Sequence, residues 1–197
     1  LNLLVKPVAL FAIDASVQNR VGEAEYGLYF TLLNLTVIFN IFLDFGINNY
    51  TTKRIAQQTT NQANFFGSIM VFRLILFILY AIVVSLTAIL LGYGAREFHI
   101  LLFLVINQLL ILSIAFFRSH FSGLHLFKTD AIISIMDRFL LIVIAGYLLF
   151  ISNSDLITID SFVYIQTICY FITFIVGWTV LNKQIKGPFF HWDFKGS

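Results

Sequence analysis

Uncharged stretches dominate the chain: 26–43, 74–95, 98–117, 139–154 and 161–182, plus an opening apolar run, 1–13, broken only by Lys6. A membrane-spanning helix needs about 20 residues, whereas a spanning barrel strand needs about 9–11 with alternating polarity. The stretches have helical length and show no alternation. In hydrocarbon each backbone amide must be paired within its own segment, which a helix does by construction. The pattern predicts six helices at about 1–18, 26–49, 67–93, 97–119, 131–152 and 160–182, with 187–197 opening a cytoplasmic connection. The second helix reaches spanning length only with its polar end, and the fifth only when extended back to 131. Gly92-Tyr93-Gly94 is a tight turn, Ser152 to Asp155 a polar loop, and Gly187-Pro188 a helix stop.

Composition closes off the alternatives. Of 197 residues, 59% are hydrophobic and 11% charged, and the mean hydropathy is +0.92. A water-soluble fold of this size has roughly 25% charged residues. Disordered chains are poor in aromatics, which make up 17% here. One cysteine excludes a disulfide scaffold. The fold class is all-α, a polytopic membrane helix bundle. Six spans leave no room for a soluble catalytic domain, and a net charge of +2 does not call for nucleic acid. Leu1 is not an initiator methionine and no charged leader precedes an apolar core, so the chain reads as a piece of a longer protein.

Charge then orients the bundle. One set of loops and helix ends carries Lys53, Arg54, Arg73, Arg118, Lys128, Arg138, Lys183, Lys186 and Lys195. The other carries only Arg20 and Arg96, with Glu23, Glu25, Glu97, Asp155 and Asp160. Cytoplasmic loops are the ones enriched in Lys and Arg, so the Lys53 loop and the N-terminus are expected to be cytoplasmic.

Intramembrane polar residues are costly and mark function. The second span carries Thr36, Asn40, Asp44 and Asn48 at intervals of four, one above another on a helix face. The third has Arg73, Tyr80 and Thr87; the fourth Asn107 and Arg118; the fifth Ser134, Asp137 and Arg138; the sixth Gln166, Tyr170, Thr173 and Gly177. Two readings apply. These faces converge on a hydrated cavity open to the cytoplasm, or they bond helix to helix at about 0.6 kcal/mol per contact while the arginines snorkel as anchors. Lys6 beside Pro7 places an ammonium at a weakened point of the first helix, suited to a phosphate or to Asp14. His99, His120, His125 and His191 lack metal spacing, with His120 and His125 read as interfacial. Cys169 reads as core. No catalytic motif, metal site or cofactor site is present.

One stretch resembles a known family. It reads Lys6-Pro7, Asp14, Val21-Gly22, Glu25-Tyr26-Gly27-Leu28-Tyr29-Phe30, then Leu43-Asp44-Phe45-Gly46-Ile47-Asn48-Asn49-Tyr50 and Thr52-Lys53-Arg54-Ile55-Ala56. This is similar to the polysaccharide flippases, or O-antigen translocases, of the multidrug/oligosaccharidyl-lipid/polysaccharide exporter superfamily. The resemblance implies an N-terminal lobe of a two-lobed transporter in the bacterial inner membrane. Such a protein would move polyprenyl-pyrophosphate oligosaccharide from the cytoplasmic to the periplasmic leaflet by alternating access. Lys6, Arg54, Arg73, Arg118 and Arg138 would supply cationic charge for the pyrophosphate, beside the polar Asn40 and Asn48. Asp14, Asp44 and Asp137 would be the candidates for coupling to H+ or Na+, and the residues alone do not choose among them.

Three other readings compete, one of them a scaffold subunit whose polar faces only pack helices. A drug or organic-cation antiporter of the same superfamily calls for an acidic cavity, whereas basic residues dominate the cytoplasmic half here. A membrane-embedded glycosyltransferase or polymerase calls for a sizeable extramembrane loop.

Overall fold

The computed structural model of the chain describes residues 9–44, 46–57, 62–150 and 158–184, and among these the regular structure is all helix, joined by short turns. A π-helical segment, Ala9–Asp14, runs into α1 (Ala15–Val21). After Gly22 come α2 (Glu23–Ile38), α3 (Ile41–Asp44) and α4 (Ile47–Ala56). The long helices follow: α5 (Gln62–Leu90), α6 (Ala95–Gly123), α7 (Phe127–Phe150) and α8 (Ile159–Gln184). Within α5 to α8 lie the four segments long and apolar enough to cross a membrane. The Lys6-Pro7 pair, the 152–155 loop, the Gly187-Pro188 stop and the 187–197 connection lie outside the described residues.

The central element is α6, buried along most of its length, while α5 shows most of its surface to the outside. Helix α6 packs against α8, α4, α2 and α7, and the π-helical segment packs on α7. Its register against α8 is tight: a Cβ on Gly177 would sit 2.8 Å from Phe117 Cδ2. Small residues of this kind let membrane helices approach closely where no hydrophobic effect drives them together. One core gathers Ile13, Val17, Leu32, Tyr80, Val84, Leu104 and Phe162. A second gathers Ile114, Phe117, Phe121, Ile133 and Tyr170. Outside them α5 exposes Val71, Phe72, Ile75, Ile78, Leu79 and Ile82, the side suited to hydrocarbon.

The second span departs from expectation. In place of one helix over 26–49, the chain breaks twice. At Asn40 the amide turns back to the Val37 carbonyl, 3.1 Å away, in a tight 3₁₀-like step. That step deprives the Thr36 carbonyl of its helical amide, and the Tyr80 hydroxyl donates to it instead at 3.0 Å. At Gly46 the backbone enters the left-handed region, φ +79°, which ends α3 and starts α4 in a new direction. The expected polar row Thr36, Asn40, Asp44 and Asn48 therefore does not run down one continuous face.

The termini of the long helices follow local chemistry. Thr158 and Ser161 cap α8 reciprocally, each backbone amide donating to the other's hydroxyl, at 2.9 and 3.2 Å. The Gly92 turn, φ +75°, separates α5 from α6 as read. Helix α7 starts at Phe127, a turn earlier than expected, with Asp130 in its first turn.

Candidate functional site

Charge buried in a membrane bundle must be paired, and the described residues show where each pairing falls. Arg73 projects from α5 into the lobe, with 8% of its side chain exposed. Its Nη1 donates to the Leu112 carbonyl of α6 at 2.7 Å, and its Nη2 to Asn48 Oδ1 at 2.6 Å and Asp44 Oδ1 at 3.2 Å. The guanidinium also lies over the Phe116 ring, 4.6 Å from its centroid. Nε is buried and has no hydrogen-bond partner. One arginine thus joins the residues on either side of Gly46 to each other and to the central helix. Beside it lies a cavity of about 260 Å³ lined by Leu43, Leu109, Leu110, Leu112, Ser113 and other residues, almost all apolar.

A second network is uncharged. Asn40 Nδ2 donates to Gln108 Oε1 at 3.3 Å, and Gln108 Nε2 to Thr36 Oγ1 at 3.5 Å. Gln166 Nε2 donates to the Tyr29 hydroxyl at 2.9 Å. Asn107, on the buried face of α6, has neither amide atom bonded, and Asn40 Oδ1 is buried without a partner.

A third group is charged and half-buried. Arg138 Nε lies 3.4 Å from Asp137 Oδ2 on α7, and Asp14, at the end of the π-helical segment, is within electrostatic reach of the same guanidinium. Tyr29 and Tyr170 complete the surroundings. Among the described residues, two carboxylates here lie within reach of one arginine. At the Arg73 site one carboxylate meets one arginine.

The remaining arginines lie near the helix ends. Arg118 Nε donates to Asp130 Oδ1 at 2.6 Å, clasping the end of α6 to the start of α7. Arg54 stacks over Tyr50, 5.8 Å from the centroid, and its Nε has no hydrogen-bond partner. At the opposite end Arg96 makes a bidentate pair with Glu25 and lies 3.7 Å from Asp160, so the starts of α2, α6 and α8 meet there. The Arg96 guanidinium, by its hydrogen bonds, holds the Glu25 carboxyl below the ordinary carboxylate range. Arg20 donates to the Leu149 carbonyl at 3.0 Å.

The ten candidate residues therefore separate. Asp14, Asp137 and Arg138 come together, as do Asp44, Asn48 and Arg73. Asn40 joins Gln108, Arg118 joins Asp130, Arg54 stands apart, and Lys6 lies outside the described residues. The polar faces expected on α5 and α8 point inward: Arg73, Tyr80, Gln166, Tyr170, Thr173 and Gly177 are buried, and Thr87 is partly buried. Much of this polarity is satisfied helix to helix instead of lining an open cavity, and the cavity beside Arg73 is apolar. His120 is buried against Phe116, ring centroids 4.8 Å apart, so its ring faces the helices and not the outside. Cys169 lies in the core as read. Sequence reasoning missed Gln108, Tyr29 and Asp130. Gln108 follows Asn107 on the same apolar helix, and that doubled amide was the available signal.

Comparison with known proteins yields one match. The family model described as polysaccharide biosynthesis protein covers residues 11–195. No curated protein and no solved structure matches the chain.

Proposed function

The chain belongs to the polysaccharide biosynthesis protein family, and from that membership we propose that it is a flippase for lipid-linked oligosaccharide. In this reading a polyprenyl-pyrophosphate saccharide passes from the cytoplasmic to the periplasmic leaflet for surface polysaccharide or O-antigen assembly. The observation that carries the reading is the family match over nearly the whole chain. Four apolar helices make this a membrane protein, and the family supports a polysaccharide-related transporter and not an enzyme. The bacterial inner membrane and cytoplasmic Lys53 loop belong to the proposal.

The physics suits the task. A sugar head group must cross hydrocarbon inside a polar shelter while its tail stays in lipid, and rocking of two lobes about a midplane site supplies that shelter. Arg138, paired with Asp137, and Arg54, stacked over Tyr50, are half-buried cations, and they are the proposed contacts for the pyrophosphate. Arginine pairs with pyrophosphate oxygens in a planar, bidentate fashion. Lys6 is retained as a sequence-based candidate for the same role.

Among the described residues Asp44 pairs with Arg73, and Asp14 and Asp137 both lie within reach of Arg138. Two carboxylates gathered on either side of one guanidinium are suited to admit a cation, so Asp14 with Asp137 is the proposed coupling pair.

The test is reconstitution of the full-length protein in proteoliposomes with a fluorescent polyprenyl-pyrophosphate saccharide under an imposed H+ or Na+ gradient. Gradient-dependent loss of the probe from the loaded leaflet is the expected result, abolished by Asp14→Asn. Transport of a cationic dye with no saccharide movement would replace this reading with the antiporter, and saccharide polymerisation would replace it with the enzyme.

A further inference from the structure

We infer that Arg73 is a positioning residue that sets the angle between the two halves of the interrupted second span, and that α3 is the part that moves. Three independent observations meet at this point. First, the backbone is already cut on both sides of α3, at the Asn40 turn and at the left-handed Gly46. Four residues between two breaks carry little helical rigidity of their own. Second, the flanking pieces are docked on the central helix. Ile55 of α4 packs on Gly123, and Thr52 Oγ1 donates to the Ser119 carbonyl at 3.2 Å, while Asn40 bonds Gln108. Third, Arg73 bridges the break itself, binding Asp44 before Gly46 and Asn48 after it, and anchoring both to the Leu112 carbonyl.

The cavity beside this clasp completes the device. Its lining includes Leu43 of α3, its volume is about 260 Å³, and it is partly open to the outside. Here the void adjoins a segment with breaks at both ends, so Leu43 and its neighbours have space to swing when the Asp44 contact opens. Arg73 Nη2 holds partners on both sides of Gly46 at once, Asn48 at 2.6 Å and Asp44 at 3.2 Å. Release of the Asp44 contact leaves the guanidinium on Asn48 and the Leu112 carbonyl, which costs less than exposing it unpaired in hydrocarbon. The guanidinium therefore works as a ratchet on the hinge and is not a ligand for the transported phosphate.

This inference uses the proposed transport only in assigning the motion to a transport cycle. Its first readout needs no substrate. In full-length protein carrying Cys169→Ala, spin labels are placed at the exposed Ile38 and Lys53, on either side of both breaks, and the distance distribution is measured in lipid nanodiscs. Wild type is expected to give one narrow population. Asp44→Asn and Arg73→Lys should each raise a second population at least about tenfold, equal to about 1.4 kcal/mol. The Asp44→Asn/Arg73→Lys double variant should be no broader than the worse single one, because both act through one clasp. Asn48→Ala is the milder variant should the others fold poorly, and Ser113→Leu, which fills the void, should narrow the distribution.

A second readout separates positioning from binding. With a polyprenyl-pyrophosphate saccharide probe, loss of the clasp lowers maximal rate at an unchanged half-saturating concentration. An unchanged distance distribution in Asp44→Asn and Arg73→Lys, additive effects in the double variant, or a tenfold rise in half-saturating concentration would each overturn the inference. A protein that moves no saccharide yet shows the expected distances would sink the flippase reading and leave the hinge standing.

Discussion

Replacing Gly123 by Ala adds one methyl group at the point where α4 rests on the end of the central helix. Its Cβ would lie 2.8 Å from Ile55 Cβ, 3.0 Å from Ile55 Cγ2 and 3.0 Å from the Thr52 carbonyl oxygen. Neither neighbour yields cheaply. Thr52 O is backbone, and the β-branched Ile55 has a stiff χ1. Helix α4 must therefore shift by several tenths of an ångström, loosening the Thr52 to Ser119 hydrogen bond and the packing of Ile55, which is 2% exposed. Overpacking of this kind costs about 1–3 kcal/mol, against about 0.5–1 kcal/mol gained from Ala over Gly in a helix. The net loss is up to about 2.5 kcal/mol, centred on about 1 kcal/mol. At about 2–4 °C per kcal/mol for a chain of this length, the central value lowers the midpoint by roughly 2–4 °C. Gly27→Ala is the matched control: it lies inside α2 with nothing within 4 Å of the added Cβ, so it should hold or raise the midpoint. The chain carries its own reporter in Cys169, a lone cysteine that is 1% exposed. Heating in detergent with a fluorogenic maleimide reads the midpoint as that thiol is uncovered. A Gly123→Ala midpoint at or above wild type, or an equal fall in Gly27→Ala, would refute the packing argument.

Three further outcomes are expected. Arg118→Gln should lower stability by about 0.5–1 kcal/mol in the same melt, with no added loss in the Arg118→Gln/Asp130→Asn double variant, since the pair is part-exposed at 35% and 24%. The Glu25 carboxyl is held low by Arg96, so its contribution is complete above the unfolded carboxylate value of about 4.3 and fades as pH falls through the lower folded value. Arg96→Gln should therefore melt below wild type at pH 7 and coincide with it near pH 3, and an equal gap at both would contradict the pairing. In a Cys169→Ala background, a cysteine at Gln57 should react only from the cytoplasm and one at Gly94 only from outside. Reversed labelling in intact cells would invert the proposed orientation.

Much of the architecture was legible because it depends on properties of one helix at a time. Uncharged runs of spanning length imply helices in a membrane, whatever their neighbours are. Spacing at three, four and seven assigned Arg73 with Tyr80, and Gln166 with Tyr170 and Thr173, to common faces, and those faces are buried. The Gly92 turn needed only its glycines. Hydropathy was blind to the interruption of the second span, since a broken helix and a whole one carry the same apolar residues. The Gly46 turn required a glycine, yet many membrane helices contain glycine without breaking there.

Which arginine meets which acid was beyond any periodic reading. A helix period states that a side chain faces inward, and not what stands opposite. Arg73 with Asp44, Arg96 with Glu25 and Gln166 with Tyr29 join residues 29, 71 and 137 positions apart. Membrane class, helical segments and inward-facing polarity could be read from residue order alone, because burial in hydrocarbon acts on each segment separately. That Asp44 meets Arg73 while Asp14 and Asp137 gather near Arg138 emerged from the packed bundle, because pairing at about 3 Å depends on helix register, and register is set by contacts such as Gly177 on Phe117 and Gly123 on Ile55.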